Sequence, residues 1–362
     1  MKTVIIYKEA GRYAGWPANY GIWSWGDEIV VGYTLGYHST EGGFHARDKT
    51  RPFVAMQARS LDGGESWQSV EMPVRTPGNK GLSAGEHSDS QAGENGGGNE
   101  PVPVEQAIDF THPDFALMCA RQDLTGGSRS WFYTSADRCH SWDGPFAIPM
   151  MGQIGLAART DYLVSGPDEC LFFLTAPTAE GTETGSRVLC ARASDGGRTF
   201  EFVSWVGPES GNGFSIMPAS VRLSDTDILV ATRERRTGED NVSANWIDLY
   251  RSSDNGATWT YVCRPVADTG HGGNPPTLTR LHDGRLCMTY AYRNAPYGMR
   301  AKLSADEGQT WGEDIVLNAA AGSHDIGYPR TVLHEDGTLV IIYYYNDELG
   351  GACYIAATLW KP

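Results

Sequence analysis

Residues 60–67 read SLDGGESW, and close copies of this phrase follow at residues 252–259 (SSDNGATW) and 304–311 (SADEGQTW). Two weaker copies, SADRCHSW and ASDGGRTF, occupy residues 135–142 and 193–200. We call these five phrases the Asp boxes. In each one the Asp is expected to accept N–H groups of its own tight turn, Gly takes the left-handed conformation, and the aromatic ring packs beneath the turn. Five copies in one chain predict a repeat architecture.

A second pattern recurs between the boxes and defines the repeating unit. A strand leads to a turn containing Asp and then to an apolar strand, as in residues 218–232, 276–290 and 329–343. Looser versions occur in residues 161–174 and 107–119, and near Asn19 to Asp27. The sixth unit lacks a fourth strand, which the N-terminal residues 3–7 can supply. We therefore predict an all-β, six-bladed β-propeller with Asp-box turns, whose ring is closed by pairing of the N-terminal strand in the last blade.

Length and composition are consistent with one domain spanning residues 1–362. The formal charge of −15 argues against nucleic acid or an anionic membrane as the main partner. Seven cysteines without a CxxC pair favour free thiols, and we expect neither a metal site nor a cofactor. The apolar run Val4 to Ile6 is too short for a secretion signal, so the expected location is cytoplasmic.

The blade pattern also predicts which face of the disc carries function. In a four-stranded meander, the Asp-Gly turns after the first strand and the Asp boxes after the third lie on one face. The starts of the inner strands and the loops between the second and third strands lie on the other face, where binding and catalytic residues are expected. Residues 78–100, rich in Gly, Ser and acidic groups, form a predicted long polar loop between blades 1 and 2.

Arginines concentrate near this second face despite the acidic total. They are Arg12, Arg51, Arg121, Arg159, Arg233, Arg235, Arg236, Arg293 and Arg330. Around a central funnel they would create a positive field suited to an anionic ligand. Arg159, Arg233 and Arg293 fall nearest the inner strands, and Arg51 and Arg330 are further candidates for substrate binding.

Groups able to carry protons are predicted on the same face. The blade 1 loop brings His45 and Asp48, and the last inner strand begins with Tyr328. The entry to blade 5 brings His271 and Asn274 to the rim, where we expect them to bind substrate.

The boxes, the six units and the Tyr at the last inner strand resemble the sialidase (neuraminidase) superfamily of Asp-box (BNR-repeat) propellers, over essentially the whole chain. GGNPPTLTRLHDGRL and DIGYPRTVLHEDGTLVIIYYYND are similar to segments of uncharacterised bacterial sialidase-like proteins. The resemblance implies a Tyr nucleophile assisted by a Glu, an Asp acid/base, and three Arg that hold the sugar carboxylate. By position, Tyr328 matches the nucleophile, Asp48 the acid/base, and Arg233 and Arg293 two of the arginines.

Two positions depart from the family pattern. Met217 stands where the family has its Glu, just before Pro218, and Gly15 stands where the first family Arg is expected. A phenol with an ordinary pKa near 10 needs a base to act as a nucleophile at neutral pH. The candidates for that helper are Glu100, Glu105, Asp161, Glu234 or a histidine.

Three functions follow as hypotheses. The first is a sialidase-like exo-glycoside hydrolase acting on a terminal acidic sugar of a glycan, with Asp48 as general acid/base, Tyr328 as nucleophile or transition-state stabiliser, and the arginines holding the carboxylate. The second is a polysaccharide lyase or His-dependent hydrolase on uronate-containing glycans, in which His45, His271 or His324 is the base. The third is a carbohydrate-binding propeller without catalysis.

Overall fold

The computed structural model describes residues 1–77 and 99–362, and its strands form six antiparallel sheets. The six sheets are the blades of a propeller, as the repeated units predict. The innermost strands surround an axial cavity of about 320 Å³, which is lined from every blade. The predicted loop falls almost entirely on residues 78–98, which lie outside the described residues.

Blades 3, 4 and 5 are regular four-stranded meanders. Blade 3 consists of β10 (Ala157–Val164), β11 (Cys170–Ala176), β12 (Arg187–Ser194) and β13 (Thr199–Val206). Blade 4 consists of β14 (Gly213–Arg222), β15 (Ile228–Thr237), β16 (Ser243–Ser252) and β17 (Thr260–Val266). Blade 5 consists of β18 (Thr277–Arg280), β19 (Leu286–Tyr292), β20 (Gly298–Ser304) and β21 (Ile315–Asn318).

Blade 6 joins the two ends of the chain. Its strands are β22 (Gly327–Leu333), β23 (Leu339–Tyr345), β24 (Tyr354–Trp360) and the N-terminal β1 (Lys2–Tyr7). The register of the last pair runs from Lys2 opposite Leu359 to Tyr7 opposite Ile355. The N-terminal strand thus covers the edge of the last blade, in agreement with the predicted closure.

Blade 1 has an inner strand that is broken in the middle. Its strands are β2 (Arg12–Gly15), β3 (Ile22–Trp25), β4 (Glu28–Tyr37), β5 (Val54–Ser60) and β6 (Gln68–Glu71). Both β2 and β3 pair with β4, and a single 3-10 turn, Pro17–Asn19, separates them. The break in blade 1 occupies the position at which the inner strands of blades 3, 4 and 6 shift register.

Blade 2 departs from the sequence prediction. Its described strands are β7 (Ala116–Arg121), β8 (Ser130–Ser135) and β9 (Asp143–Ile148), and residues 107–115 form no strand. The N–H groups of Ile108 and Phe110 instead donate to the blade 3 turns, at Gly196 and Pro167. Pro113 also lacks the N–H donor that a ladder needs, and β7 becomes the innermost strand.

Four Asp boxes share one set of hydrogen bonds. Asp62, Asp137, Asp254 and Asp306 each accept the N–H four residues ahead at 2.8–2.9 Å and the hydroxyl of that residue at 2.5–2.6 Å. Asp195 differs, having a positive φ of 57° and an ion pair with Arg198 at 3.5 Å. The reason is local, because Ala193 lacks the Ser hydroxyl that bonds the Asp in the other four copies.

The box face is the one that the strand pattern predicts. The N–H of Gly63 donates to Asp27 in the first turn of blade 1, and that of Gly196 donates to Asp168 in the first turn of blade 3. The boxes and the first turns of the blades therefore lie together.

The core lies between neighbouring blades, where apolar residues of adjacent sheets pack face to face. All seven cysteines are free thiols, and all but the half-buried Cys263 are buried. Within the described part of the chain, no helix is long and apolar enough to cross a membrane.

Candidate functional site

The inner strands of three blades share an unusual backbone conformation at their break or register shift, a position that we call the inner-strand start. Trp16, Met217 and Tyr328 have φ values of 58°, 52° and 51°, and each precedes a proline. A left-handed conformation is costly for a residue with a side chain, and it is concentrated at functional sites in proteins. In blades 4 and 6 the register of the inner strand shifts at this residue, and the Met217 and Tyr328 side chains both reach Arg233.

Tyr328 is the centre of the site. Its hydroxyl accepts a hydrogen bond from Arg233 Nη1 at 3.1 Å, and Arg293 lies over its ring at 5.4 Å from the centroid. Burial raises the pKa of Tyr328, but the positive charges of Arg233, Arg293 and Arg159 outweigh that effect, so the pKa falls below its usual value. The hydroxyl is therefore more acidic than that of an ordinary tyrosine.

Arginines 233 and 235 form a cationic pair beside Tyr328. Alternate residues of β15 share one face, and both guanidinium groups donate to the Gly272 carbonyl, at 2.5 and 2.7 Å. No carboxylate of residues 1–77 and 99–362 lies within 4.0 Å of either group, and the buried Arg233 Nε has no hydrogen-bond partner there. Burial and the charge of Arg233 lower the pKa of Arg235 to about 10. The pair presents positive charge that the described chain leaves without a matching anion.

Arg293 is held more tightly than its neighbours. It is fully buried and donates to the carbonyls of Ile326 (2.9 and 2.7 Å) and Gly273 (3.0 Å), and to the Tyr344 hydroxyl at 2.5 Å. These contacts use most of its donors, so its contribution to the site is mainly its charge.

The other predicted arginines occupy separate places. Arg159 is buried, forms an ion pair with Glu183 and adds its charge at Tyr328. Arg330 lies deeper, in the axial cavity, where it donates to the carbonyls of Ala18 and Tyr20 at 2.9 and 3.3 Å. Arg51 is exposed and stacks on Tyr37, and no contact links it to Tyr328 or Arg233. The structure thus brings Arg159, Arg233 and Arg293 together around Tyr328.

His45 and Asp325 form a dyad at the same end of the axis. His45 Nδ1 donates to Asp325 Oδ1 at 2.6 Å, while the hydroxyls of Tyr13 and Tyr344 donate to the same carboxylate at 3.1 and 2.9 Å. Burial raises the pKa of Asp325, but His45, Arg293 and the Tyr344 hydrogen bond lower it well below the usual range. Asp325 therefore remains ionised and orients the imidazole ring of His45. The His45 side chain is 15% exposed.

Asp48 has a different environment from His45, three residues earlier in the same loop. Its Oδ1 accepts the N–H and the hydroxyl of Thr50 at 2.9 and 2.6 Å. These two bonds lower the pKa of Asp48. No hydrogen bond or ion pair joins Asp48 to Tyr328, Arg233 or Asp325 among the described residues.

The two residues predicted at the blade 5 entry differ in kind. Asn274 is buried, and its Oδ1 accepts the N–H groups of Ala291 and Tyr328, both at 3.2 Å, so it positions the backbone of the tyrosine. His271 is exposed and stacks on Phe44, with ring centroids 5.1 Å apart. Burial, His324 and Arg293 lower the pKa of His271.

The carboxylates suggested as helpers for Tyr328 lie elsewhere. Glu234 points away from Arg233 on β15 and accepts the hydroxyls of Ser215 and Thr232, both at 2.6 Å. Asp161 accepts the N–H and hydroxyl of Ser220 in the axial cavity, and Glu105 lines an outer groove of blade 2. Glu100 has no described contact with the site. Of those candidates, only the histidine option is found in the network next to Tyr328.

Sequence reasoning gave no role to Asp325, which stands in the quoted blade 6 segment. It named Arg235, two residues beyond Arg233, on this face but did not select it for substrate binding. The spacing of two along a strand was a usable signal, because it places both arginines on one face. Asp325 had no comparable signal, since its partner His45 is 280 residues away.

The fold places this chain in a structural class. Six blades around a closed axis give the chain the fold of the sialidases and of the α-L-arabinanases. No family model and no curated protein matches the sequence, so the likeness is one of structure.

Three solved structures illustrate the likeness. A Dyadobacter fermentans protein of unknown function has a TM-score of 0.69 at 20% identity, over 99% of this chain and 97% of that one. The α-L-arabinanase of Penicillium chrysogenum, solved with arabinobiose, has a TM-score of 0.63 at 12% identity, over 100% and 98%. The Trypanosoma rangeli sialidase, solved as a covalent intermediate, has a TM-score of 0.59 at 12% identity, over 94% and 54%. Structural neighbours of this chain therefore include glycoside hydrolases.

Proposed function

We propose that this protein is a sialidase-like exo-glycoside hydrolase that removes a terminal acidic sugar from a glycan. The observation that carries the proposal is the Tyr328 hydroxyl, which Arg233 holds at 3.1 Å within a group of guanidinium side chains. A tyrosine acidified in this way is suited to attack an anomeric carbon. The glycoside hydrolases among the structural neighbours agree with this reaction class.

The shape of the site supports an exo-acting enzyme. A cavity of only about 10 Å³ lies next to Met217 and Arg159, lined by Pro218, Pro275 and Pro329. It is too small for a sugar ring, so we expect a ligand at Tyr328 to extend no further than these prolines. Such a site fits the end of a glycan chain rather than its middle.

The charges of the site support an acidic sugar. Arg233 and Arg235 have no described carboxylate partner, and burial lowers the pKa of Arg235, so the charge of Arg235 is costly until an anion binds. A carboxylate on the terminal sugar would relieve this cost. We assign Arg233 and Arg235 to this carboxylate, with Arg293 and Arg159 contributing to the field.

The proton transfers are assigned to His45. Asp325 fixes its ring through Nδ1 at 2.6 Å, so the acid–base chemistry falls to Nε2. Asp48, the acid/base by position in the family pattern, remains the competing assignment. Phe44 and His271 form a stacked aromatic pair at the rim that is suited to the face of a sugar on the leaving side.

A substrate panel tests the proposal. We expect the purified protein to hydrolyse aryl glycosides of an acidic sugar and to favour them over neutral counterparts such as arabinofuranosides. Arg235→Met should raise KM for the acidic substrate by about 10-fold, because one charge-assisted contact is lost, and should leave KM for a neutral one nearly unchanged. Arg198→Met, at a surface ion pair with Asp195, is the control.

Three outcomes would contradict the proposal. Equal use of neutral and acidic glycosides would remove the acidic specificity. Absorbance from a new C=C bond in the product of a uronate glycan would indicate a lyase. Saturable binding of acidic glycans without turnover would indicate a binding protein.

A further inference from the structure

Position 217 is the point where this site departs from the family pattern. Met217 is buried, and its Sδ accepts a hydrogen bond from Arg233 Nη1 at 3.4 Å. The same Nη1 donates to the Tyr328 hydroxyl at 3.1 Å. One guanidinium nitrogen thus contacts both the neutral thioether of Met217 and the phenol of Tyr328. The family pattern has a carboxylate in place of that thioether.

The groups around Tyr328 come from four other blade strands or their ends. Arg233 and Arg235 extend from β15, Arg159 extends from β10, and Arg293 follows β19. Tyr344 of β23 packs on the ring of Tyr328, with centroids 6.0 Å apart. Asp325, the carboxylate of this network, is bonded to His45, Tyr13 and Tyr344. The described charges that act on the phenol are therefore positive.

We propose that Tyr328 works as a phenolate paired with Arg233, and that this pairing replaces the carboxylate base of the family at position 217. A phenolate is a better acceptor for the Arg233 N–H than a phenol, because the hydrogen bond then carries charge on both sides. The lowered pKa of Tyr328 agrees with this arrangement. The inference rests on the proposed function only for the catalytic role of the tyrosine.

The chemical steps balance without a base for Tyr328. The phenolate oxygen bonds to the anomeric carbon while the glycosidic C–O bond breaks, and the leaving oxygen takes a proton from His45. Water then attacks the anomeric carbon and gives a proton back to His45, and the tyrosyl C–O bond breaks to restore the phenolate. In a site with a Glu at position 217, the first step also includes transfer of the phenol proton to that Glu.

The test is a direct titration of Tyr328 in the full chain, without substrate. The protein is labelled with 3-fluorotyrosine, and the ¹⁹F resonance that disappears in Tyr328→Phe is followed against pH. We expect its midpoint to lie below that of fluorotyrosine in the unfolded chain. A midpoint above that value would overturn the inference, and this measurement needs no further variant.

Met217→Glu and Met217→Gln form a matched pair that differs only in charge. The glutamate would neutralise Arg233 and raise the Tyr328 midpoint by about one to three pH units relative to the glutamine variant. Equal midpoints in two folded variants, checked by circular dichroism, would overturn the inference. Arg233→Met provides a second route, since it should also raise the midpoint.

Failure of this inference is separable from failure of the proposed function. A lowered midpoint in a protein that hydrolyses no glycoside would support the phenolate and reject the hydrolase. Suppose instead that the protein hydrolyses acidic glycosides and that the Tyr328 midpoint lies above that of fluorotyrosine in the unfolded chain. That result would support the hydrolase and reject the phenolate.

Discussion

The Asp boxes and the inner-strand starts both recur from blade to blade, but the boxes share side chains and the inner-strand starts share a backbone conformation. In four boxes the same Ser and Asp side chains meet at 2.8–2.9 Å, and the same bonds close the turn. At the inner-strand starts the backbone is what recurs, with φ values between 51° and 58° before a proline. The side chains there are a tryptophan, a methionine and a tyrosine.

This difference separates scaffold from site. A side chain that recurs with its hydrogen bonds serves the local turn, since every copy does the same work. A strained backbone that recurs with different side chains places a different group at the equivalent position of each blade. Changes at the two kinds of repeat should therefore have different effects, on stability at the boxes and on chemistry at the inner-strand starts.

The largest effect is expected at Tyr328. Tyr328→Phe removes the proposed nucleophile and should lower kcat/KM for an acidic aryl glycoside by about 10⁴-fold or more. The thermal midpoint should change little, because the ring remains in place. Tyr292→Phe, which alters a tyrosine packed on Arg300, is the matched control and should keep full activity. A Tyr328→Phe variant with wild-type turnover would remove this residue from the mechanism.

The next largest loss of activity is expected at His45, and it distinguishes His45 from Asp48 as the acid/base group. His45→Gln should lower kcat/KM by about 10³-fold on a substrate with a poor leaving group, and much less on one with a good leaving group. Asp48→Asn should leave both rates close to wild type, since its carboxylate is bonded to Thr50. The reverse ranking of the two variants would transfer the role to Asp48, as the family pattern implies.

Glu234 lies next to Arg233 on β15 but points away from it, and its ionisation is expected to affect stability rather than catalysis. Burial raises its pKa from 4.5 to about 7, so the folded chain binds this proton more tightly than the unfolded chain. The free energy of unfolding should fall as the pH rises from 4.5 to about 7. Glu234→Gln should thus be more stable than wild type at pH 8 by about 3 kcal/mol, and similar near pH 4.5.

Urea unfolding at the two pH values measures this difference. Glu239→Gln, on an exposed turn beyond the same strand, is the control and should follow the wild-type profile. Parallel profiles for Glu234→Gln and wild type would show that the carboxyl does not titrate in this window.

The smallest effect is expected at an Asp box. Asp254→Asn weakens the bonds to Thr258, and the thermal midpoint should drop by a few degrees. The Thr258 bonds lower the pKa of Asp254, so its contribution is present above the usual carboxyl pKa and is lost at lower pH. Kinetic constants should not change. A loss of activity in a fully folded Asp254→Asn protein would contradict the assignment of the Asp boxes to stability alone.

Sequence reasoning grouped the residues of the candidate site better than it ranked them. It placed Tyr328, Arg233 and Arg293 on one face, where the structure brings them together. It also proposed Arg51, which lies over Tyr37, and it assigned substrate binding to Asn274, which instead holds the backbone of Tyr328. Neighbouring residues of a loop, such as His45 and Asp48, cannot be told apart by position, because their partners come from other blades.

Blade 2 shows the same limit for the fold. Residues 107–119 resemble the strand–turn–strand unit of the other blades, yet the first of these strands is absent. The N–H groups of Ile108 and Phe110 bond to blade 3, a neighbour that no local pattern specifies.

The sequence by itself determined the six blades, the chemistry of their turns and the face on which the candidate site lies. These depend on turn residues and strand alternation, which act between residues close in the chain. The tertiary structure alone decided which groups meet. Arg233 and Tyr328 are 95 residues apart, and His45 and Asp325 are 280 apart. They come into contact only because closure of the ring brings the inner strands of distant blades around one axis.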